Sequence, residues 1–388
     1  VYLRGNNKLK TQNLKIAIVC YPTFGGSGVV ATELGLALAL QGHEIHFITY
    51  KQPVRLEALS ENLHFHEVNV PDYPLFHFQP YELALSSKLV DMVKLHQIEL
   101  LHVHYAIPHA YAAYMAKKML QDQGINLPIV TTLHGTDITL VGSHPFYKSA
   151  VAFSINHSDC VTSVSESLKK DTLDLFDIRK DIMVIPNFVD FEKHSSHNED
   201  CERHVIAPAH ERIISHVSNF RSVKRILDVI RVFDKIVKEV PAKLIMVGEG
   251  PDKQAAMDYC QEHGIADSVK FIGKSNQVFE VLCYSDLFIL PSETESFGLA
   301  ALEAMMMRVP VISTNTGGLS EVNVEGKTGY LFDVGDVKAM AEKSIALLQD
   351  EVLLEEFKNN AQKEARKFDL NQIVGRYVAV YQQALASH

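Results

Sequence analysis

A chain of 388 residues is too long for one ordinary core and fits two domains of roughly 150–200 residues. Hydrophobic residues make up 47% of it, enough for packed cores and unlike a disordered chain. The formal charge of −10 argues against a general nucleic-acid binder, and no apolar run reaches the length of a stable membrane insertion.

The leading segment Val1–Asn13 is polar, unlike a signal peptide, so the cytoplasm is the expected location. Five cysteines, an odd number without metal-ligand spacing, read as thiols packed as small hydrophobes in a reducing compartment. Strands are expected at 15–20, 44–49, 64–68, 100–103, 128–133, 160–164 and 181–185. Helices fall between them at 29–41, 81–96, 108–121 and 145–156. Gly42 is a natural stop for the first of these. This alternation is the mark of a parallel sheet covered on both faces.

The His-, Ser- and Glu-rich stretch 190–212 breaks the rhythm and reads as an interdomain connection. Strands are then expected at 213–217, 243–247, 269–272, 287–290 and 311–313. Helices are expected at 226–240, 253–263 and 299–307, and three more fill 336–385. The fold class is therefore α/β, with two Rossmann-like domains at 14–190 and 205–368. A final helical segment, 369–388, is expected to pack back on the first domain.

Four loops carry the polar and glycine signals. Gly25-Gly26-Ser27-Gly28 follows a strand and opens a helix, where small residues bring backbone N–H groups close to an anion. It is not a full dinucleotide fingerprint, and no acidic residue closes the second strand, so a dehydrogenase is disfavoured. A purely structural turn stays open. His134-Gly-Thr-Asp137 sits where ligands collect in open α/β sheets, and His134 suits a sugar hydroxyl. The alternative is a capping loop in which Asp137 satisfies amides. His102, His104 and His109 lack acidic or thiol partners at ligand spacing, so no metal site is expected.

In the second half, Asn219, Arg221, Lys224 and Arg225 follow a strand, and their three cations suit a leaving diphosphate or form a solvated basic patch. Gly248 marks a close backbone approach at the next strand end. Glu295-Ser-Phe-Gly-Leu-Ala-Ala-Leu-Glu303 places one carboxylate in a loop and another inside the following helix. The amides of Phe297, Gly298 and Leu299 lie at the helix start, a ready site for phosphate. Burying Glu303 among apolar residues is costly without a partner, although a partly exposed helix position is the alternative. Thr316-Gly317-Gly318 and Glu321 are expected to finish the cleft wall.

The Glu295–Glu303 element, the Gly25-Gly26 loop, His134-Gly-Thr-Asp137 and the basic element 221–224 together resemble the retaining glycosyltransferase family 4, of GT-B fold. The likeness spans about 15–385. It is closest in the stretches 20–30, 102–110, 131–137 and 218–221. The resemblance implies UDP-N-acetylglucosamine as donor, L-malate as acceptor, retention at the anomeric carbon, and no separate cofactor or metal. It implies donor contacts from Gly25, Gly26, Asn219, Arg221, Lys224, Gly248, Glu295, Phe297, Gly298, Leu299 and Glu303, with Glu303 on the ribose. His134, Lys224 and Glu295 become the catalytic set, and Ser27, Gly28, Tyr105 and Thr132 the acceptor side. One departure is Asn219, where the family often carries Arg; Arg221 stands two residues away as a substitute cation.

Within the same fold, a different acceptor (inositol phosphate, a polysaccharide, a lipid) or a UDP-sugar epimerase are the competing enzyme readings. A noncatalytic sugar-nucleotide binder is the competing class. A homo-oligomer stays open.

Overall fold

The computed structural model describes residues 13–23, 26–56, 60–72, 74–194, 203–208, 210–275 and 278–388. Gly25 therefore lies outside the described residues. Strands β1 (Lys15–Val19), β2 (Glu44–Thr49), β3 (Leu63–Glu67), β4 (Leu100–His104), β5 (Ile129–Leu133), β6 (Cys160–Ser163) and β7 (Ile182–Val184) form one sheet, in the order β3-β2-β1-β4-β5-β6-β7. A second sheet takes β8 (Arg212–Val217), β9 (Ala242–Val247), β10 (Val269–Gly273), β11 (Leu287–Leu290), β12 (Val311–Thr314) and β13 (Gly329–Phe332), in the order β10-β9-β8-β11-β12-β13. Every described ladder in both sheets is parallel.

Helices cover both faces, which explains why central strands are buried along their whole length instead of alternately. β4 (Leu-Leu-His-Val-His) and β5 (Ile-Val-Thr-Thr-Leu) are buried at every position. Their polar side chains must then be paired inside the sheet. His102 contacts Thr132 Oγ1 through Nε2 and Tyr381 Oη through Nδ1, each at 2.8 Å, and Thr132 meets Thr162 at 2.7 Å.

Tyr381 belongs to the last helix, Leu370–Ala386, whose apolar face (Ile373, Val374, Tyr377, Tyr381) packs into the core of the first sheet beside the helix Gly26–Leu40. The chain enters this helix next to the point where it left the first sheet. Val189 N–H donates to Phe368 O at 3.0 Å, and Leu370 N–H donates to Val189 O at 2.9 Å. The two crossings between the sheets are thus hydrogen-bonded side by side.

Several elements differ from expectation. The first helix begins at Gly26 rather than Val29, so Gly26, Ser27 and Gly28 form its first turn. The helix Glu166–Leu175 was not expected because it is polar and buries only Leu168 and Thr172, leaving a faint apolar period. The helix Val278–Tyr284 and the four-residue β13 are too short for a clear pattern. Cys20, Cys160 and Cys260 are buried free thiols, but Cys283 is disulfide-bonded, against the expectation of thiols throughout.

Removing the Tyr381 hydroxyl leaves His102 Nδ1 without its partner at a site with no solvent access. Tyr381→Phe is expected to cost about 1–3 kcal/mol of stability, read as a lowered urea midpoint at unchanged m-value.

Candidate functional site

The carboxyl ends of β1, β4 and β5 face those of β8 and β11 across a cleft of about 960 Å³. Parallel strands put loops and helix N-termini at that end of each sheet, which is why polar ligand-type groups gather here. From the first unit the lining includes Gly26, Ser27, Tyr105 and His134; from the second, Asn219, Arg221, Lys224, Glu295 and Phe297–Leu299.

On the first side, Ser27 in the opening turn of its helix shares a hydrogen bond of 2.5 Å with Tyr105 Oη. Burial raises the Tyr105 phenol above its ordinary range, so it stays protonated. His134 lies against Tyr105, with ring centroids 5.1 Å apart, and its Nε2 is 2.8 Å from His104 Nδ1. Burial pulls the His134 pKa down to about 3, and His104 well below normal, so both rings are neutral at pH 7. His134 therefore offers a hydrogen bond and no charge. Asp137 has the capping role: Oδ1 accepts from the amides of His134 at 3.2 Å and Gly135 at 3.0 Å, and Oδ2 from Ala106 at 2.8 Å. It fixes the loop that carries His134.

On the second side, Lys224 Nζ donates to Glu295 Oε1 at 2.5 Å, and Ser292 Oγ donates to the same oxygen at 2.9 Å. The helix Leu299–Met306 starts at Gly298, in left-handed conformation (φ +93°) with no side-chain cap, so its first turn faces the cleft with its amides uncapped by any side chain. Gly317 (φ +54°) and Gly318 underlie this loop: a Cβ on them falls 1.9 Å from Glu295 O and 2.5 Å from Ser296 O.

The loop also joins the two units. Ser165 Oγ donates to Ser296 O at 2.5 Å, and Gly135 lies so close that a Cβ falls 1.6 Å from Ser296 Oγ. Glu321, expected in the cleft wall, instead accepts from the amides of Glu166 at 3.0 Å and Ser167 at 2.9 Å, capping a helix of the other unit.

Four expected site residues are described but do not line the cleft. Thr132 is inside the sheet, engaged by His102 and Thr162. Gly28 packs where a Cβ meets Thr23 O at 2.5 Å, and Gly248 (φ +135°) where one meets Ser218 O at 1.8 Å, so both serve chain packing. Glu303 is buried in a small neighbouring recess. There Arg55 Nη2 reaches its Oε1 at 3.4 Å and Arg55 Nη1 reaches Glu33 Oε1 at 3.3 Å. Burial raises the Glu303 pKa, with Arg55 opposing.

Two family models match successive parts of the chain: "Glycosyltransferase Family 4" over residues 24–193 and "Glycosyl transferases group 1" over 199–364. The N-acetyl-alpha-D-glucosaminyl L-malate synthase of Bacillus anthracis is 46% identical over 96% of this chain and 97% of its own length. The chain is a family 4 glycosyltransferase. The fold agrees: the sucrose-phosphate synthase of Thermosynechococcus elongatus superposes with a TM-score of 0.79 at 20% identity, covering 97% of this chain and all of that one. Anabaena HepE in complex with UDP and glucose gives a TM-score of 0.80 at 18% identity, covering 95% and 100%. The architecture is GT-B.

The glycosyltransferase also lines its cleft with groups that sequence reading passed over, among them Tyr21, Glu82, Asn187 and Ser296. Tyr21 and Ser296 lie inside motifs already singled out, so strand-end position was the available signal. Glu82 and Asn187 come from a helix start and the interdomain crossing, where no local pattern marks them.

Buried neutral histidines make the glycosyltransferase acid-sensitive. His102 and His134 are pulled to about 3, and His109 and His216 to about 4, all chiefly by burial. Depressed folded-state values give stability that is full above the unfolded value near 6.5 and lost as pH falls toward 4. Asp137, raised by burial to about 6, and Glu303, also raised by burial, act oppositely but are outnumbered by the four histidines. Denaturant midpoints are expected to be flat above about pH 6.5 and to fall continuously below it.

Proposed function

We propose that this glycosyltransferase moves N-acetylglucosamine from UDP-N-acetylglucosamine to L-malate with retention, the first step of bacillithiol biosynthesis. The observation that carries this reading is the near full-length likeness to the Bacillus anthracis L-malate synthase. A UDP-sugar donor is supported further by the same fold holding UDP-glucose in HepE.

In this reading the second unit holds the donor. The diphosphate lies against the uncapped start of the helix Leu299–Met306, where amides and helix dipole favour anions. Lys224 neutralises charge developing on the leaving group. Its ammonium has three donors, so it keeps Glu295 oriented toward the sugar while taking a phosphate oxygen. Arg221, exposed on the lining, supplies the second cation in place of the Arg absent at Asn219. Neutral His134 holds a donor-sugar hydroxyl.

Arg221 and Lys224 are the cations among the described lining residues, and both belong to the donor side. A dianionic acceptor is therefore held by neutral donors: Ser27 Oγ, Tyr105 Oη and the N-terminal amides of the helix Gly26–Leu40. The malate hydroxyl attacks the anomeric carbon on the face that UDP leaves. Its proton passes to the departing phosphate, so one C–O bond forms as another breaks. Glu303 reaches the ribose once its contact with Arg55 parts.

Two measurements test this. Mass spectrometry of reactions offering UDP-N-acetylglucosamine with L-malate, inositol phosphate or buffer alone is expected to show the α-linked malate glycoside. A product with inositol phosphate and none with malate overturns the acceptor. Calorimetry of Glu303→Ala is expected to show UDP binding weakened by about tenfold, the worth of a charged hydrogen bond. An unchanged affinity removes the ribose role.

A further inference from the structure

Away from the cleft, β2, the edge strand β3 and the end of the helix Tyr81–His96 bring four imidazoles together. Parallel pairing sets His46 beside His64 and Ile48 beside His66, and the two-residue period puts Glu44, His46, His64 and His66 on one face. His96, the last residue of the helix, covers that face. Ring centroids lie 4.6 Å (His46–His64), 5.2 Å (His46–His66), 4.7 Å (His46–His96) and 4.8 Å (His66–His96) apart. This group is distinct from His102, His104 and His109 and takes no part in the cleft.

Packing four imidazoles together is poor economy for a core, because each neutral ring has one N–H and needs both a donor and an acceptor nearby. The contacts here satisfy that need only in part. His64 Nε2 is buried without a hydrogen-bond partner, its distance to Glu44 Oε1 being 3.4 Å. The contact of 2.9 Å between His46 Nδ1 and His66 Nε2 is a hydrogen bond in which one ring donates and the other accepts. One further contact orders the group: Glu44 Oε1 lies 3.2 Å from His46 Nε2. A carboxylate there holds the proton on Nε2 and turns the Nδ1 lone pair toward His66 and His96. That is the second-sphere arrangement that orients a metal-ligating histidine.

We propose that His46, His66 and His96 bind a borderline divalent transition-metal ion of the zinc class, with Glu44 orienting His46 from behind. One ligand nitrogen from each of the three lies within 4.8 Å of the others. Zinc–imidazole bonds of about 2.0–2.1 Å set ligand nitrogens about 3.4 Å apart in a tetrahedron, so a modest inward turn of the rings closes the site. On binding, the His66 proton shifts to its Nδ1 and frees Nε2, with no net release. His66 and His96 are only half-buried, which leaves an entry path and room for water as a fourth ligand. The nearby cations are Lys15, whose Nζ pairs with the other Glu44 oxygen at 3.1 Å, and Lys88 beside His66. The ion staples an edge strand, paired on one side only, to the helix whose opposite end carries Glu82 into the cleft.

The test uses the full chain, stripped by chelator and without a histidine tag. Calorimetry with Zn²⁺ is expected to show one site per chain, and Co²⁺ the intense visible absorption of a four-coordinate site. Zn²⁺ is expected to raise the thermal midpoint. The double variant His66→Gln, His96→Gln, checked by circular dichroism for native folding, is expected to lose the site. Glu44→Gln should weaken it about 10–100-fold, while His263→Gln, remote from the cluster, leaves it intact. If the variants misfold, His96→Gln alone at the helix end gives the same reading. Absence of one-site uptake by the wild-type chain, or uptake unchanged by His96→Gln, overturns the proposal.

Discussion

The structure depends on one short loop held from both sides. Residues 294–299 carry Glu295 and the start of the helix Leu299–Met306, and the same loop meets the first unit through Ser165, Gly135 and the neighbouring Glu321 cap. The glycines at 317 and 318 let a second loop lie directly beneath it. A group in this loop cannot move without disturbing the contact between the units. Proposed donor binding and cleft geometry are therefore mechanically joined, and Lys224 is pinned to the same place through its contact with Glu295.

The first unit solves a different problem. Its central strands are covered on both faces, yet they carry His102, His104, Thr131 and Thr132. Burial keeps the imidazoles neutral, and a network running from Tyr381 through His102 and Thr132 to Thr162 satisfies most of their polar atoms. The last helix is thus more than a brace, because it supplies the hydroxyl that completes a polar core. The same neutrality reaches His134 at the cleft, where it favours a hydrogen-bonding role over an electrostatic one. The imidazoles of His46, His66 and His96 stand apart from this network, and the convergence of one nitrogen from each is what marks them for another ligand.

Charge is distributed unevenly across the cleft. The cations among the lining residues belong to the second unit, and the first presents hydroxyls, a neutral imidazole and a helix N-terminus. In the proposed reaction a chain of net charge −10 can still gather two anionic substrates because local donors, and not overall charge, decide binding at contact distance.

Much of this was written in the order of residues. Alternating apolar runs and glycine-marked ends determined two parallel α/β units, since a doubly covered strand must be apolar throughout and a helix must be periodic. Loop motifs at strand ends determined that Ser27, His134, Lys224 and Glu295 gather at one cleft, because parallel topology sends every such loop to one edge. Tertiary structure alone decided the rest. Thr132 turned inward to His102, Glu303 met an arginine 248 positions away, and Glu321 capped a helix of the other unit. Local sequence sets which groups a segment carries. Which way a buried polar group points is set by whichever partner, near or far in the chain, relieves its desolvation.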